Sequence, residues 1–215
     1  MASTANQPDR IAEGADRLGV VIDAQRLAAL NGYLDLLEKW NAAYNLTAVR
    51  SREAMQTEHI LDSLALVPHL RDESLLDVGT GAGLPGLVVA IVRPDMHCSL
   101  LDSNGKKTRF LKQAAFDLGL TNVEVIQARI EDYRPATVPG QVVSRAFSSL
   151  PAMVEGCRLL LAQGARLLAM KGQRPDDEIA ALPVDILVEQ VIQLQVPWLG
   201  KERHLVCMKL IGTTK

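Results

Sequence analysis

Apolar residues recur every three or four positions after Asp23. Leu27, Leu30, Leu34, Leu37 and Trp40 form one stripe, and Asp23 can cap its start, so the spacing predicts an amphipathic helix over 23–43. A second helical pattern covers 53–66, with Met55, His59, Leu61 and Leu64 among its less polar members. The connector from Tyr44 to Arg50 is too polar to be core. At Leu75 the texture changes. A short apolar run at 75–78 reads as a buried strand, and 97–101, 123–127, 141–144 and 165–170 read as further strands. Helical patterns at 84–92, 106–118 and 150–161 separate them, with Pro85 suited to a first helical turn. This alternation predicts a doubly wound, mostly parallel α/β sheet. The last two runs, 185–196 and 203–211, have only Pro197-Trp198-Leu199-Gly200 at the centre of their connection. No helix fits there, so a hairpin is predicted, which places an antiparallel strand in a seven-stranded sheet.

One turn carries a chemical signal. Gly79-Thr80-Gly81-Ala82-Gly83 follows the first strand and precedes a helix. Glycines there let the backbone turn sharply and approach a ligand, and the helix start is expected to offer free N–H groups. Ligands bind at the carboxyl ends of strands in such sheets. Asp102 ends the second strand, about twenty residues on, where an acid commonly accepts hydrogen bonds from ribose hydroxyls. Ser103 follows it. The same stretch contains Gly81-Ala82-Gly83-Leu84-Pro85-Gly86, which also fits a dinucleotide fingerprint, so an NAD-dependent oxidoreductase is the main rival. The glycines begin one step earlier, at Gly79, and the chain has no room for a second nucleotide half plus a substrate domain. The terminal hairpin likewise favours a methyltransferase.

Composition narrows the class. The chain has 215 residues, 48% apolar and 22% charged, which suits one α/β domain with an extension. No apolar run has the length of a membrane span, and Met1 to Arg10 lacks the apolar centre of a signal peptide. Cys98, Cys157 and Cys207 lie far apart in apolar surroundings, as expected of reduced, buried thiols in a cytoplasmic protein. The formal net charge of −2 gives no overall electrostatic case for nucleic acid. Cations nevertheless gather at predicted strand ends. Arg129, Arg145 and Lys171 follow the third, fourth and fifth strands, and Arg203 lies at the start of the last. Cations there can hold RNA phosphates. The plain alternative is pairing with nearby acids such as Glu131 or Asp132. The run Lys106-Lys107-Thr108-Arg109-Phe110-Leu111-Lys112 is the densest basic stretch, and a solvated helix face explains it as well as RNA does. His59 and His204 have no second ligand at metal spacing, so no metal is expected. Trp40 is expected in the core, and so is Phe147, although it could stack on a base.

Further segments carry a family resemblance. They are Trp40-Asn41-Ala42-Ala43-Tyr44-Asn45-Leu46-Thr47, His59-Ile60-Leu61-Asp62-Ser63, the loop from Asp77 to Gly86, Leu100-Leu101-Asp102-Ser103, Ser144-Arg145-Ala146-Phe147, Met170-Lys171-Gly172 and Arg203-His204-Leu205-Val206. In this order the chain is similar to the bacterial ribosomal small-subunit methyltransferase G family, also called glucose-inhibited division protein B. The resemblance implies the class I methyltransferase (Rossmann-like) fold: a core over 73–215, with 1–72 as an N-terminal helical extension. It implies S-adenosyl-L-methionine as cofactor and N7 of one guanine in 16S rRNA, free or in the 30S subunit, as target. It places cofactor contacts at Gly79, Leu84, Ile130, Glu131 and Arg145, beside the loop's Gly81. One departure is Gln141, which stands where an aspartate often precedes the fourth strand. A monomer is the default expectation.

The residues agree with that chemistry through what they lack. Guanine N7 presents a free lone pair and no proton, so its methylation needs neither a general base nor a covalent nucleophile. Ser144-Arg145-Ala146-Phe147 stands where amine methyltransferases usually carry Asn/Asp-Pro-Pro-aromatic. No cysteine has the setting of a pyrimidine-C5 nucleophile. A methyltransferase for small molecules or proteins is a second rival, which the basic strand ends disfavour. A non-catalytic RNA-binding protein is a third.

Overall fold

The computed structural model describes residues 9–145 and 147–212. The polar N-terminus up to residue 8, and Ala146 of the Ser-Arg-Ala-Phe segment, lie outside them. Helix α1 spans Arg10–Arg17 and α2 spans Ala24–Tyr44. Asp23 caps α2 by accepting from the Arg26 N–H at 2.8 Å, as predicted. The next helical segment is not regular. It runs as α3 (Arg52–Met55), a π-helical turn (Gln56–Leu61) and α4 (Asp62–Leu64). Every residue from His59 to Leu66 is buried, so this segment lies between other elements instead of showing one stripe to a single core.

From there strands and helices alternate: β1 (Leu75–Val78), α5 (Gly86–Val92), β2 (Cys98–Asp102), α6 (Gly105–Asp117), β3 (Val123–Gln127), β4 (Gln141–Ser144), α7 (Leu150–Gly156), α8 (Arg158–Ala162), β5 (Arg166–Lys171), α9 (Asp176–Ala180), β6 (Ile186–Gln193) and β7 (His204–Leu210). The helix predicted over 150–161 is broken at Cys157, and the one predicted from Leu84 starts at Gly86, because Pro85 is its cap and not its first turn. Neither α1 nor α9 is among the predicted helices: α9 has too few apolar positions to show a period, and the stripe of α1, Ile11 and Ala15, is only two residues within its eight.

The seven strands pair in the order β3-β2-β1-β4-β5-β7-β6. All neighbours are parallel except β7, which runs antiparallel to both β5 and β6. The hairpin expectation is therefore met, with β7 inserted between β5 and β6. Strand side chains alternate between two faces. Leu76, Val78, Leu101, Val142 and Leu167 pack beneath α7 and α8, whereas Leu75, Cys98, Val143, Leu168 and Leu205 pack on the other face.

The N-terminal helices join that second side. Leu30, Tyr33, Leu34 and Leu37 share one cluster with Leu87, Leu100, Phe110 and Leu111. Trp40 stacks on Tyr44 and reaches Phe110 of α6, with centroids 5.2 and 5.7 Å away. Arg10 and Arg17 place their guanidinium groups over the Trp198 ring, tying α1 to the β6–β7 connection. Gln141, the departure noted above, is fully buried. Its amide accepts from the Arg71 N–H at 2.9 Å and donates to the Arg71 carbonyl at 3.1 Å. A neutral group with a donor and an acceptor is what that buried backbone requires.

A buried polar contact joins α2 to the glycine turn. The Tyr33 hydroxyl of α2 donates to the Ala82 carbonyl at 2.9 Å, inside the core. Tyr33→Phe keeps the ring and leaves that carbonyl without a partner. A loss of about 1–2 kcal/mol is expected in urea unfolding; an unchanged midpoint would show that the bond contributes nothing.

Candidate active site

Strand order reverses between β1 and β4, and the crevice at their carboxyl ends is where such sheets bind ligands. The glycine turn lies there. Gly79, Gly81 and Gly83 have φ of 67°, 62° and 96°, a region that excludes most side chains without strain. A Cβ at Gly86 would collide with Leu100 and come within 2.8 Å of the Asp77 Cβ, so this glycine is required by packing. A Cβ at Gly81 would meet nothing closer than 3.9 Å. The turn is therefore open at Gly81 and packed shut beneath Gly86.

Two carboxylates hold the turn. Asp77 Oδ2 accepts from the Thr80 hydroxyl at 2.6 Å and from the Gly86 N–H at 2.7 Å. Asp102 Oδ2 accepts from the Gly81 N–H at 3.0 Å, and its Oδ1 from the Asn104 N–H at 2.8 Å. Lys107 Nζ stands 3.5 Å from Asp102 Oδ2. Most of the N–H groups expected to be free at the helix start have acceptors. Gly83 and Leu84 donate to the Thr80 carbonyl, Leu87 to that of Gly83, and Gly79 and Thr80 to that of Leu101. Among the described residues of the turn, the Ala82 N–H is left without an acceptor, so the turn keeps few donors for a phosphate.

The remaining predicted residues divide. Ser103 is exposed beside Asp102, and Leu84 is buried in the turn. Ile130 opens a 3₁₀ turn (Ile130–Asp132) after β3, with Glu131 exposed next to it. Phe147 is partly buried against a core cluster, as expected. Ser144 donates to the Val78 carbonyl at 2.7 Å, fastening β4 to β1 beside the turn.

The strand-end cations are mostly neutralised. Arg203 Nε donates to Asp62 Oδ1 at 2.8 Å, and Arg145 Nη1 lies 3.2 Å from Asp62 Oδ2. Lys171 pairs with Glu178 at 2.8 Å. The acids are thus Asp62 and Glu178, not Glu131 or Asp132. Arg129 is exposed and has no ion pair among the described residues. Sequence pattern assigns no role to Tyr33 or Asp62. Tyr33 looks like one more member of a helical stripe, and Asp62 sits unexplained inside the His59–Ser63 segment.

The cysteines lack the character of nucleophiles. Burial raises the Cys98 and Cys157 thiols to about 12 and also raises Cys207. Burial lowers the pKa of His59, whose Nε2 lies 2.8 Å from the Thr47 hydroxyl. No group of three or more metal-ligating side chains occurs among the described residues.

Asp77 is the exception in its titration. Burial raises it to about 6, against the opposing pull of the Thr80 and Gly86 hydrogen bonds and of Arg145. An unfolded aspartate ionises near 3.8. Between these values the folded chain keeps a proton that the unfolded chain has lost. The contribution to stability is full below the lower value and falls as pH rises through the upper one, by at most ~1.4 kcal/mol per pH unit. Asp77→Asn has no such proton. The unfolding free energy of the wild type minus that of Asp77→Asn should fall by roughly 3 kcal/mol across the window. A flat difference in urea titrations would mean that the carboxyl is not raised.

Comparison with known proteins follows the same lines. The family model described as rRNA small subunit methyltransferase G matches residues 26–206. A protein of Yersinia pseudotuberculosis named ribosomal RNA small subunit methyltransferase G is 50% identical over 192 residues, 89% of this chain and 93% of its own. One of Yersinia pestis with the same name matches equally. Among solved structures, a SAM dependent methyltransferase from Aquifex aeolicus superposes with a TM-score of 0.54 at 18% identity, covering 74% of this chain and 94% of that one. Coclaurine N-methyltransferase bound to N-methylheliamine and SAH gives 0.54 at 14% identity, covering 86% and 71%. The structural matches establish the fold and nothing finer.

Proposed function

The chain belongs to the rRNA small subunit methyltransferase G family, and from that membership we propose that it methylates N7 of a guanine in 16S rRNA, using S-adenosylmethionine. The observation that carries the choice of cofactor is the acidic, largely self-satisfied turn. A dinucleotide pyrophosphate needs free N–H groups and no buried carboxylate beneath it. Asp77 supplies the reverse beneath the turn, an environment that suits a sulfonium cation. This disfavours the oxidoreductase reading.

The cofactor, when bound, supplies an electrophilic methyl group. The residues proposed to hold it are Gly79, Gly81, Leu84, Asp102, Ser103, Ile130, Glu131 and Arg145. Two oxygens of a carboxylate accept about four hydrogen bonds, so Asp102 can hold Gly81 and Asn104 and still take ribose hydroxyls. Arg145 is the positioning cation at the β4 edge. The chain's contribution to rate is orientation of the acceptor nitrogen, without proton transfer. The cysteines support that reading, because thiols raised so far do not form thiolates at neutral pH. We further propose that residues 1–72 serve as a helical extension of the core 73–215. The expected setting is a cytoplasmic monomer meeting 16S rRNA or the 30S subunit. No described helix is long and apolar enough to cross a membrane.

The test is methyl incorporation into 16S RNA or 30S particles from a strain lacking this modification, with the product base identified by mass spectrometry. N7-methylguanine at one site is expected. No incorporation into either substrate overturns the proposal. Because no base is needed, kcat should stay flat across the neutral to mildly alkaline range; a rise of tenfold per pH unit would reveal a required deprotonation. Asp102→Ala frees the Gly81 N–H and removes the ribose acceptor. Calorimetry should show S-adenosylhomocysteine binding weakened at least tenfold, since charge-assisted bonds of this kind contribute about 1.5–3 kcal/mol. Unchanged affinity would remove Asp102 from the site.

A further inference from the structure

Of the cations nominated at the strand ends, Arg145, Arg203 and Lys171 are held by Asp62 and Glu178, whereas most of those on α6 have no acid beside them. Lys106, Arg109 and Lys112 are exposed, with no ion pair among the described residues. At 3.6 residues per turn, Lys106, Arg109, Lys112, Gln113 and Phe116 fall within about a third of the helix circumference. The opposite face, with Thr108, Phe110, Leu111 and Ala114, is buried. Phe116 is 81% exposed, unusual for an aromatic on a helix whose other face supplies the core. The helix begins at its cap Asn104, two residues after Asp102, so the basic face starts beside the candidate cofactor site. A groove of about 360 Å³ lies along it, lined by Thr108, Arg109, Lys112, Gln113 and by Gln127 at the end of β3. Arg129, also exposed and unpaired, follows Gln127 by two residues.

We propose that this face of α6 docks single-stranded RNA, with phosphates on Arg109 and Lys112, flanked by Lys106 and Arg129, and an unpaired base stacked on Phe116. The proposal rests on the rRNA methyltransferase reading above and adds which surface meets the substrate. Charge complementarity decides the occupant. Three unpaired cations in a row attract a polyanion, and an exposed aromatic beside them gives any base a stacking surface. The axial distance from Arg109 to Phe116 is ~10 Å at 1.5 Å per residue, so one short strand reaches all of it.

The experiment measures binding of the full chain to unmodified 16S RNA across a salt series, for the wild type, Arg109→Gln/Lys112→Gln and Phe116→Ala. S-adenosylhomocysteine binding by each variant checks that the fold is intact. The double variant should lower the slope of log affinity against log salt by ~1.4, about 0.7 for each single-strand phosphate contact. Phe116→Ala should weaken binding roughly tenfold with its slope unchanged. If both variants keep wild-type affinity within about twofold and the same slope, the docking face is overturned while the function stands. If they bind and methylate naked RNA normally but fail on 30S particles, the face meets a ribosomal protein and the RNA assignment is overturned. If the wild type methylates neither 16S RNA nor 30S particles, the proposed function fails, and the docking face with it; if it acts on 30S particles alone, the same salt series is read on them.

Discussion

Both carboxylates at the head of the sheet point into the glycine turn, and the shape of the site follows from that constraint. Asp77 ties the start of the turn to its end by holding Thr80 and Gly86 on one oxygen. Asp102 reaches across from β2 and holds Gly81. A turn with three left-handed glycines would otherwise sample many conformations, because glycine loses more freedom on folding than any other residue. Buried carboxylate–amide bonds offset that cost. They also set the sign of the local field. With the Gly81 and Gly86 N–H groups engaged by aspartates, the turn is less suited to a phosphate than to a cation.

The N-terminal helices are coupled to the same place by two buried polar contacts of different kinds. Tyr33 of α2 grips the Ala82 carbonyl in the turn. Asp62, reached through the π-helical turn, receives Arg203 from the start of β7 and lies against Arg145 from the end of β4. A carboxylate with a side chain 2% exposed is stable only with such partners, and the two arginines approach it from separate strands. The extension is thus part of the site's electrostatics. Loss of Asp62 would release two cations at the strand ends and change what those ends attract.

Much of this was legible in the sequence. The strands showed as short runs, the turn as alternating glycines, and Asp102 by its distance from them. The hairpin followed from a gap too short for a helix. What stayed hidden has a common physical cause. The π-helical turn, the break at Cys157 and the pairing of Arg145 with Asp62 depend on neighbours distant in the chain, and local pattern does not carry them. The expectation of free N–H groups at the helix start held only in part, for the same reason. The motif shows donors, but not that Asp77, Thr80 and the Leu101 carbonyl have already answered most of them. Even the start of α5 shifted because Pro85 acts as a cap, a choice that spacing alone leaves open.

The distribution of charge then decides how a chain with a formal net charge of −2 can meet RNA at all. Its overall field gives no attraction, so affinity must come from cations whose charge is not already balanced locally. An arginine held against a buried aspartate is a weak phosphate ligand, because engaging a phosphate would compete with a bond already made in a low-dielectric setting. Arg203 is in that position, Arg145 shares the same aspartate, and Lys171 is held by Glu178, so all three are better suited to orient what lies in the crevice. Lys106, Arg109 and Lys112 have no such partner in the fold, and they start beside Asp102. On the proposed function, that separation would leave the paired cations to fix geometry at the reacting centre, where an error of an ångström is costly, and the unpaired ones to supply the salt-sensitive attraction that brings a polyanion to it.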